Sequence, residues 1–180
     1  IIGGTNSNAP KTYTVTFDTQ GGSAIASIEN VASESTITDP GNPRKEGYTF
    51  AGWLKEKDGN SLWNFDVDKI TSDITLYAKW DVNQYTVSFD SQGGSTVENK
   101  TNIASGNKIT APTAPTRTGY AFAGWYKEAK YTTAWDFDTD VVTESITLYA
   151  KWETNQVSKV DVEIGSAAGS YGDAVEVPVS

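Results

Sequence analysis

The run Asp136-Phe137-Asp138-Thr139-Asp140 sets three carboxylates at alternate positions, the kind of hard-oxygen grouping that opens a calcium-binding loop. An EF-hand loop also needs a glycine for its sharp turn and a glutamate at its twelfth position, and Val141 and Thr147 stand there instead. Lys79 and Lys151 each interrupt an apolar run, which raises the chemistry of an isopeptide bond from the amine to an Asn or Asp side chain. That bond needs a buried Lys, an Asn or Asp and an acid to converge. The plainer reading puts each lysine on the solvent face of a strand, opposite its apolar neighbours. The third chemistry is sugar stacking on the six tryptophans, of which Trp63 and Trp135 are the candidates for a partly exposed binding ring. Trp53, Trp80, Trp125 and Trp152 recur inside apolar alternations, which fits core packing better.

Other chemistries are closed to the chain. It has no His and no Cys, so imidazole bases, thiol nucleophiles, disulfides and the common zinc sites are absent. Lys and Arg number 14 against 23 Asp and Glu, and the net charge of −9 repels nucleic acid and anionic membrane surfaces. No apolar stretch approaches the roughly 18 residues of a membrane span. The start, Ile1-Ile2-Gly3-Gly4, does not read as an export signal. Lacking Met as well, the chain reads as part of a longer precursor whose targeting and anchoring segments lie elsewhere. At 37% hydrophobic and 21% charged residues, the composition is that of folded, soluble protein.

The elements that position these residues come in duplicate. Tyr13-Thr14-Val15-Thr16-Phe17-Asp18 returns as Tyr85-Thr86-Val87-Ser88-Phe89-Asp90, an offset of 72 residues. The same offset carries Gly21-Gly22 to Gly93-Gly94, Pro40 and Pro43 to Pro112 and Pro115, and Gly47-Tyr48 to Gly119-Tyr120. It also carries Phe50-Ala51-Gly52-Trp53 to Phe122-Ala123-Gly124-Trp125, Trp63 to Trp135, and Leu76-Tyr77-Ala78-Lys79-Trp80 to Leu148-Tyr149-Ala150-Lys151-Trp152. Within a copy the period is two: Tyr13, Val15 and Phe17 alternate with threonines, and Ile74, Leu76, Ala78 and Trp80 alternate with Thr75, Tyr77 and Lys79. Both runs predict strands, and Tyr48 to Trp53 predicts a third. Gln20-Gly21-Gly22-Ser23 supplies turn residues for a hairpin or bulge after the first strand. Pro40 and Pro43 predict a loop over 39–47 that could hold one short helical turn. Residues 57–62 differ from 129–134 at every position, the mark of a surface loop. Asp66 and Asp138, present in both copies, are expected to satisfy backbone N–H groups of turns.

Taken in order and twice over, these motifs resemble the Listeria-Bacteroides repeat, the B repeat of internalin-like surface proteins, across residues 13–152. The resemblance implies an α+β, mostly β unit of the β-grasp (ubiquitin-like) kind, a mixed sheet packed on a short helix or helical loop, strung in elongated arrays. It implies no catalytic residues. The chain then divides into a leader or linker (1–12), repeat 1 (13–80), a linker (81–84), repeat 2 (85–152) and a tail (153–180). In the tail, Val160-x-Val162-x-Ile164-Gly165 and Gly172-Asp173-x-Val175-x-Val177-Pro178-Val179 are similar to the opening strands of cohesin-type β-sandwich modules.

The function expected from these readings is a non-catalytic tandem spacer or adhesion module of a bacterial secreted or cell-surface protein, extracellular and monomeric. No cofactor, metal, nucleic acid or inserted membrane segment is expected. Its partners would be the neighbouring modules of its own polypeptide and, weakly, a host protein or glycan. The alternative is a carbohydrate- or cell-wall-binding module using Trp63 and Trp135.

Overall fold

The computed structural model describes residues 10–155. Strands β1 (Thr12–Asp18), β2 (Ile28–Ala32), β3 (Tyr48–Leu54) and β4 (Ile74–Val82) form one four-stranded sheet in the order β2-β1-β4-β3. Strands β5 (Gln84–Asp90), β6 (Lys100–Ala104), β7 (Tyr120–Tyr126) and β8 (Ile146–Thr154) form a second in the order β6-β5-β8-β7. In each sheet the central pair is parallel and the outer pairs are antiparallel. The registers repeat at the 72-residue offset: Val15 faces Ile74 as Val87 faces Ile146, and Trp53 faces Ala78 as Trp125 faces Ala150.

The alternation seen in the sequence decides which face is buried. Val15, Phe17, Leu76 and Ala78 point inward from the central strands, and Trp53 joins them from β3. The irregular connections close over this face, bringing Ile37 from the segment after β2 and Trp63 and Ile70 from the segment after β3. Phe17, Phe50 and Trp80 link edge to face through Trp53 and Phe50, with centroids 4.8 to 5.6 Å apart, and Phe89, Phe122, Trp125 and Trp152 repeat the arrangement at the same separations. Such pairs add to what area burial alone contributes.

The expected short helix is not found. Among the described residues every regular element is a strand, so the unit is all-sheet rather than α+β. The physical reason lies in the connection from β2 to β3, where a covering helix would have to sit. Pro40 and Pro43 remove two amide donors there, and Gly41 and Gly47 hold φ of 90° and 77°. The segment instead crosses the core as extended chain that buries Ile37 and Pro43.

The turn after β1 also differs from a tight two-residue hairpin. Gln20 and Gly21 take φ of 51° and 86°, and the Gly22 amide donates to the Thr19 carbonyl at 3.0 Å, closing a turn with both central residues left-handed. The chain then detours before β2 begins at Ile28. Ser23 is tied sideways to Arg44, its amide donating to the Arg44 carbonyl and its hydroxyl accepting from the Arg44 amide. The glycine pair has two separate jobs. Gly21 supplies the left-handed backbone, while Gly22 makes room for Trp80, whose Cζ2 would lie 2.6 Å from a Cβ placed there. The tail beyond residue 155, with its cohesin-like pattern, lies outside the described residues.

Candidate functional site

Each residue group with chemical promise is accounted for by local structure. Trp63 and Trp135 are buried, 9% and 8% exposed, so the partial exposure expected of them is not found. The amide of Trp63 donates to the carbonyl of Trp53 at 2.7 Å, which seats its ring against the edge of β3, and Trp135 is held to Trp125 at 2.8 Å in the same way. An ammonium roofs each ring: Lys55 Nζ is 5.6 Å from the centre of Trp63, and Lys127 Nζ is 5.2 Å from that of Trp135. The indole N–H groups of Trp53, Trp63 and Trp135 are buried and have no hydrogen-bond partner among the described residues. The cavity beside Trp135, lined by Lys127, Val142 and Glu144, holds about 140 Å³. That is below the roughly 300–1,000 Å³ of sites that enclose a drug-sized ligand.

Trp80 and Trp152 are half-buried, but they are lids rather than platforms. Trp80 Nε1 donates to the Thr19 carbonyl at 2.9 Å and its ring lies on Gly22. Lys45 Nζ caps the same turn, donating to the Gln20 carbonyl at 2.9 Å while standing 4.6 Å from the Tyr48 ring centre and 5.8 Å from that of Trp80. Arg117 does the same in the second unit, over Tyr120 and Trp152.

The acidic run is a turn. Asp136 Oδ1 accepts from the Asp138 amide at 2.8 Å, and Asp140 Oδ2 accepts from the Asp136 amide at 2.9 Å, with Asn64 and Asp68 in the corresponding roles in the first unit. The carboxylates of Asp66 and Asp138 were expected to satisfy this turn. Instead the amides of Asp66 and Asp138 donate to the side-chain oxygens of Asn64 and Asp136, whose own amides donate to the carboxylates of Asp68 and Asp140. The second oxygens of Asp68 and Asp140 receive Lys55 at 2.7 Å and Lys127 at 2.9 Å. An ammonium thus occupies the remaining oxygen of each of these carboxylates, and among the described residues no group of three or more metal-ligating side chains forms. Lys79 and Lys151 lie on the outer face, opposite Gly52 and Gly124. Lys151 Nζ is 5.3 Å from the Tyr126 ring centre, and neither lysine is ion-paired among the described residues.

The turn amides, and then the lysines, hold the Asp68 and Asp140 carboxyls below the ordinary Asp range. A carboxyl with a lowered folded pKa contributes stability that is present above its unfolded value, about 4, and is lost as pH falls through the lower folded value. The thermal midpoint is therefore expected to be level near neutrality and to fall below about pH 4. In a variant carrying Asp68→Asn and Asp140→Asn, the neutral midpoint should drop and the acid limb flatten. Calorimetry across pH checks this, and an acid limb as steep as that of the parent would refute it. Because these ion pairs are partly exposed, each contributes only about 0.2–1 kcal/mol.

The Listeria-Bacteroides repeat domain matches residues 13–79 and again 85–151, the two sheets just described. The chain belongs to this family. A Listeria-Bacteroides repeat pair of this kind also has relatives in much longer proteins. Over 143 residues, 79% of the chain, it is 43% identical to a protein of Evansella cellulosilytica named as a membrane protein, of which it covers 21%. A second protein of that organism, named as a Gly-rich membrane protein, is 44% identical over 86% of the chain and 19% of its own length. Internalin H of Listeria monocytogenes is 36% identical over 89% of the chain and 29% of its own length. The chain thus spans less than a third of the relatives it matches. The family match stops at residue 151, leaving the cohesin-like reading of the tail without support from it. Among the described residues no helix is long and apolar enough to cross a membrane.

Sequence reasoning passed over the lysine roofs, the Trp80 lid and the junction at Asn83. The repetition of Lys55 as Lys127, and of Lys45 as the basic Arg117, was the available signal for the first two.

Proposed function

We propose that the repeat pair is a non-catalytic spacer and adhesion module of a bacterial cell-surface or secreted protein. Its work is reach, together with the avidity that repetition gives to any weak host-protein or glycan contact. The observation that carries this reading is the use of the chemically conspicuous side chains for packing: tryptophans in cores and lids, aspartates in lysine-closed turns. Matches to proteins named as membrane proteins and to an internalin support the surface setting. The order β2-β1-β4-β3 around a parallel central pair supports a distant relation to the β-grasp, here with an extended segment in place of the helix. A carbohydrate- or cell-wall-binding role for Trp63 and Trp135 would require both rings to be uncovered.

Exchange of the pair within a surface-displayed parent tests the proposal. Deleting residues 13–152 should reduce target capture by the parent's terminal module, and an unrelated rigid spacer of equal length should restore it. Scattering from the full chain should give a radius of gyration well above the roughly 16 Å of a compact 180-residue globule. Failure of the unrelated spacer, or a compact chain, would overturn the spacer reading.

A further inference from the structure

One residue, Asn83, separates β4 of the first sheet from β5 of the second, and it is bonded to both units. Its amide donates back to the Gly47 carbonyl of the first unit at 2.9 Å, and its carbonyl accepts from the Ser105 amide of the second at 2.8 Å. Its side chain does likewise. Oδ1 accepts from Thr49 Oγ1 at 2.6 Å, and Nδ2 makes a longer contact of 3.4 Å to the Tyr85 hydroxyl.

Each backbone bond has a counterpart at an outer end of the pair. Asn155 donates to the Gly119 carbonyl at 3.1 Å, and Ser33 donates to the Lys11 carbonyl at 2.9 Å. A repeat therefore brings one half of the junction at its start and the other at its close, and at Asn83 both halves meet in a single residue. The units also touch directly: a Cβ on Gly47 would fall 2.5 Å from Ser105 Oγ and 3.0 Å from Ser105 Cβ. At the equivalent Gly119, with a similar φ of 81°, no described atom lies within 4 Å.

We propose that Asn83 is a stiff joint, and that the surfaces around Gly47 and Ser105 form a contact face whose partner is a neighbouring copy of the same repeat. The joint fixes two dihedrals by four contacts reaching into two separately packed sheets, so a bend at Asn83 must break bonds on one side or the other. Gly47 then serves twice, giving left-handed backbone to its own turn and clearance to the next unit. The proposal rests on the spacer reading and specifies its mechanics: successive repeats hold one angle instead of swivelling.

Because the chain has no Cys, Thr38→Cys with Thr110→Cys gives one spin label on an exposed loop of each repeat. Pulsed electron resonance on this full chain should return a single narrow distance distribution. Four Gly-Ser residues inserted after Asn83 should broaden it about two-fold or more, the behaviour of a flexible linker. Gly47→Ala should shift the peak, Gly119→Ala should not, and Ser105→Gly should restore the Gly47→Ala variant. If Gly47→Ala fails to fold, Ser105→Leu presses on the contact from the other side and should give the shift. A parent distribution as broad as that of the insertion variant, or an unshifted peak in both crowding variants, would overturn the joint. That outcome leaves the spacer reading standing, since a swivelling tether also gives reach, whereas failure of the spacer exchange would leave the joint standing.

Discussion

Replacing Trp53 by Ala is expected to destabilise the first unit by about 3–5 kcal/mol, the range for deleting a large core aromatic. Trp53 is 1% exposed and holds Phe17 at 4.8 Å and Phe50 at 5.4 Å, so its loss opens a void between two sheet strands. Trp53→Phe should cost less than Trp53→Ala, because it keeps part of the packing against Phe17 and Phe50. The second unit has its own core of Val87, Phe89, Trp125 and Leu148 and should keep its transition within a few tenths of a kcal/mol. Urea unfolding followed by residue-resolved NMR separates the two units. A loss below about 1 kcal/mol, the scale of a surface change, would contradict the packing described.

Gly22→Ala should cost about 1–3 kcal/mol through overpacking, although alanine usually lowers the entropy of the unfolded chain and stabilises where it fits. It does not fit here, because its Cβ would meet Trp80 Cζ2 at 2.6 Å and the Arg44 carbonyl oxygen at 3.3 Å. Trp80 cannot easily step aside, since its Nε1 bond to Thr19 and its edge contact with Phe50 hold the ring on the turn. Gly94→Ala should have a matching effect against Trp152, with 2.5 Å to Cζ2. Combined with Trp80→Ala, Gly22→Ala should cost less than it does alone, which a double-mutant cycle would read as coupling of about 0.5–3 kcal/mol. Strict additivity would show that the cost arises at the Arg44 carbonyl and not at the ring.

Much of the architecture was legible in the residues, for reasons that are local. A two-residue period in Tyr13 to Phe17 and Ile74 to Trp80 reports a half-buried strand wherever it occurs, and a 72-residue identity in offset reports duplicated units whatever their fold. The four-strand unit was less complete in sequence. β2 buries Val31 alone among its five residues, and Asn30 breaks its alternation with a φ of 56°, so this edge strand has almost no hydrophobic period to read. The helix expected from family resemblance gave way to a proline-bearing extended segment, because Pro40 and Pro43 lack amide donors and Gly41 and Gly47 hold left-handed backbone.

The residue pattern alone establishes two units, central strands that bury alternate residues, and the exclusion of His and Cys chemistry. The roles of the conspicuous side chains emerge from the packing of the folded unit. Trp63 and Trp135 follow a variable loop, and nothing near them in sequence says that Lys55 and Lys127 will close over them while bridging to Asp68 and Asp140. Trp80 meets Gly22 across 58 residues of chain, and Gly47 meets Ser105 across the boundary between units. Periodicity reports which face of an element is apolar. It cannot report which distant ring, ammonium or neighbouring repeat will cover that face, because that depends on strand order and on the path of the connections, and here both are set by the packing of the whole unit.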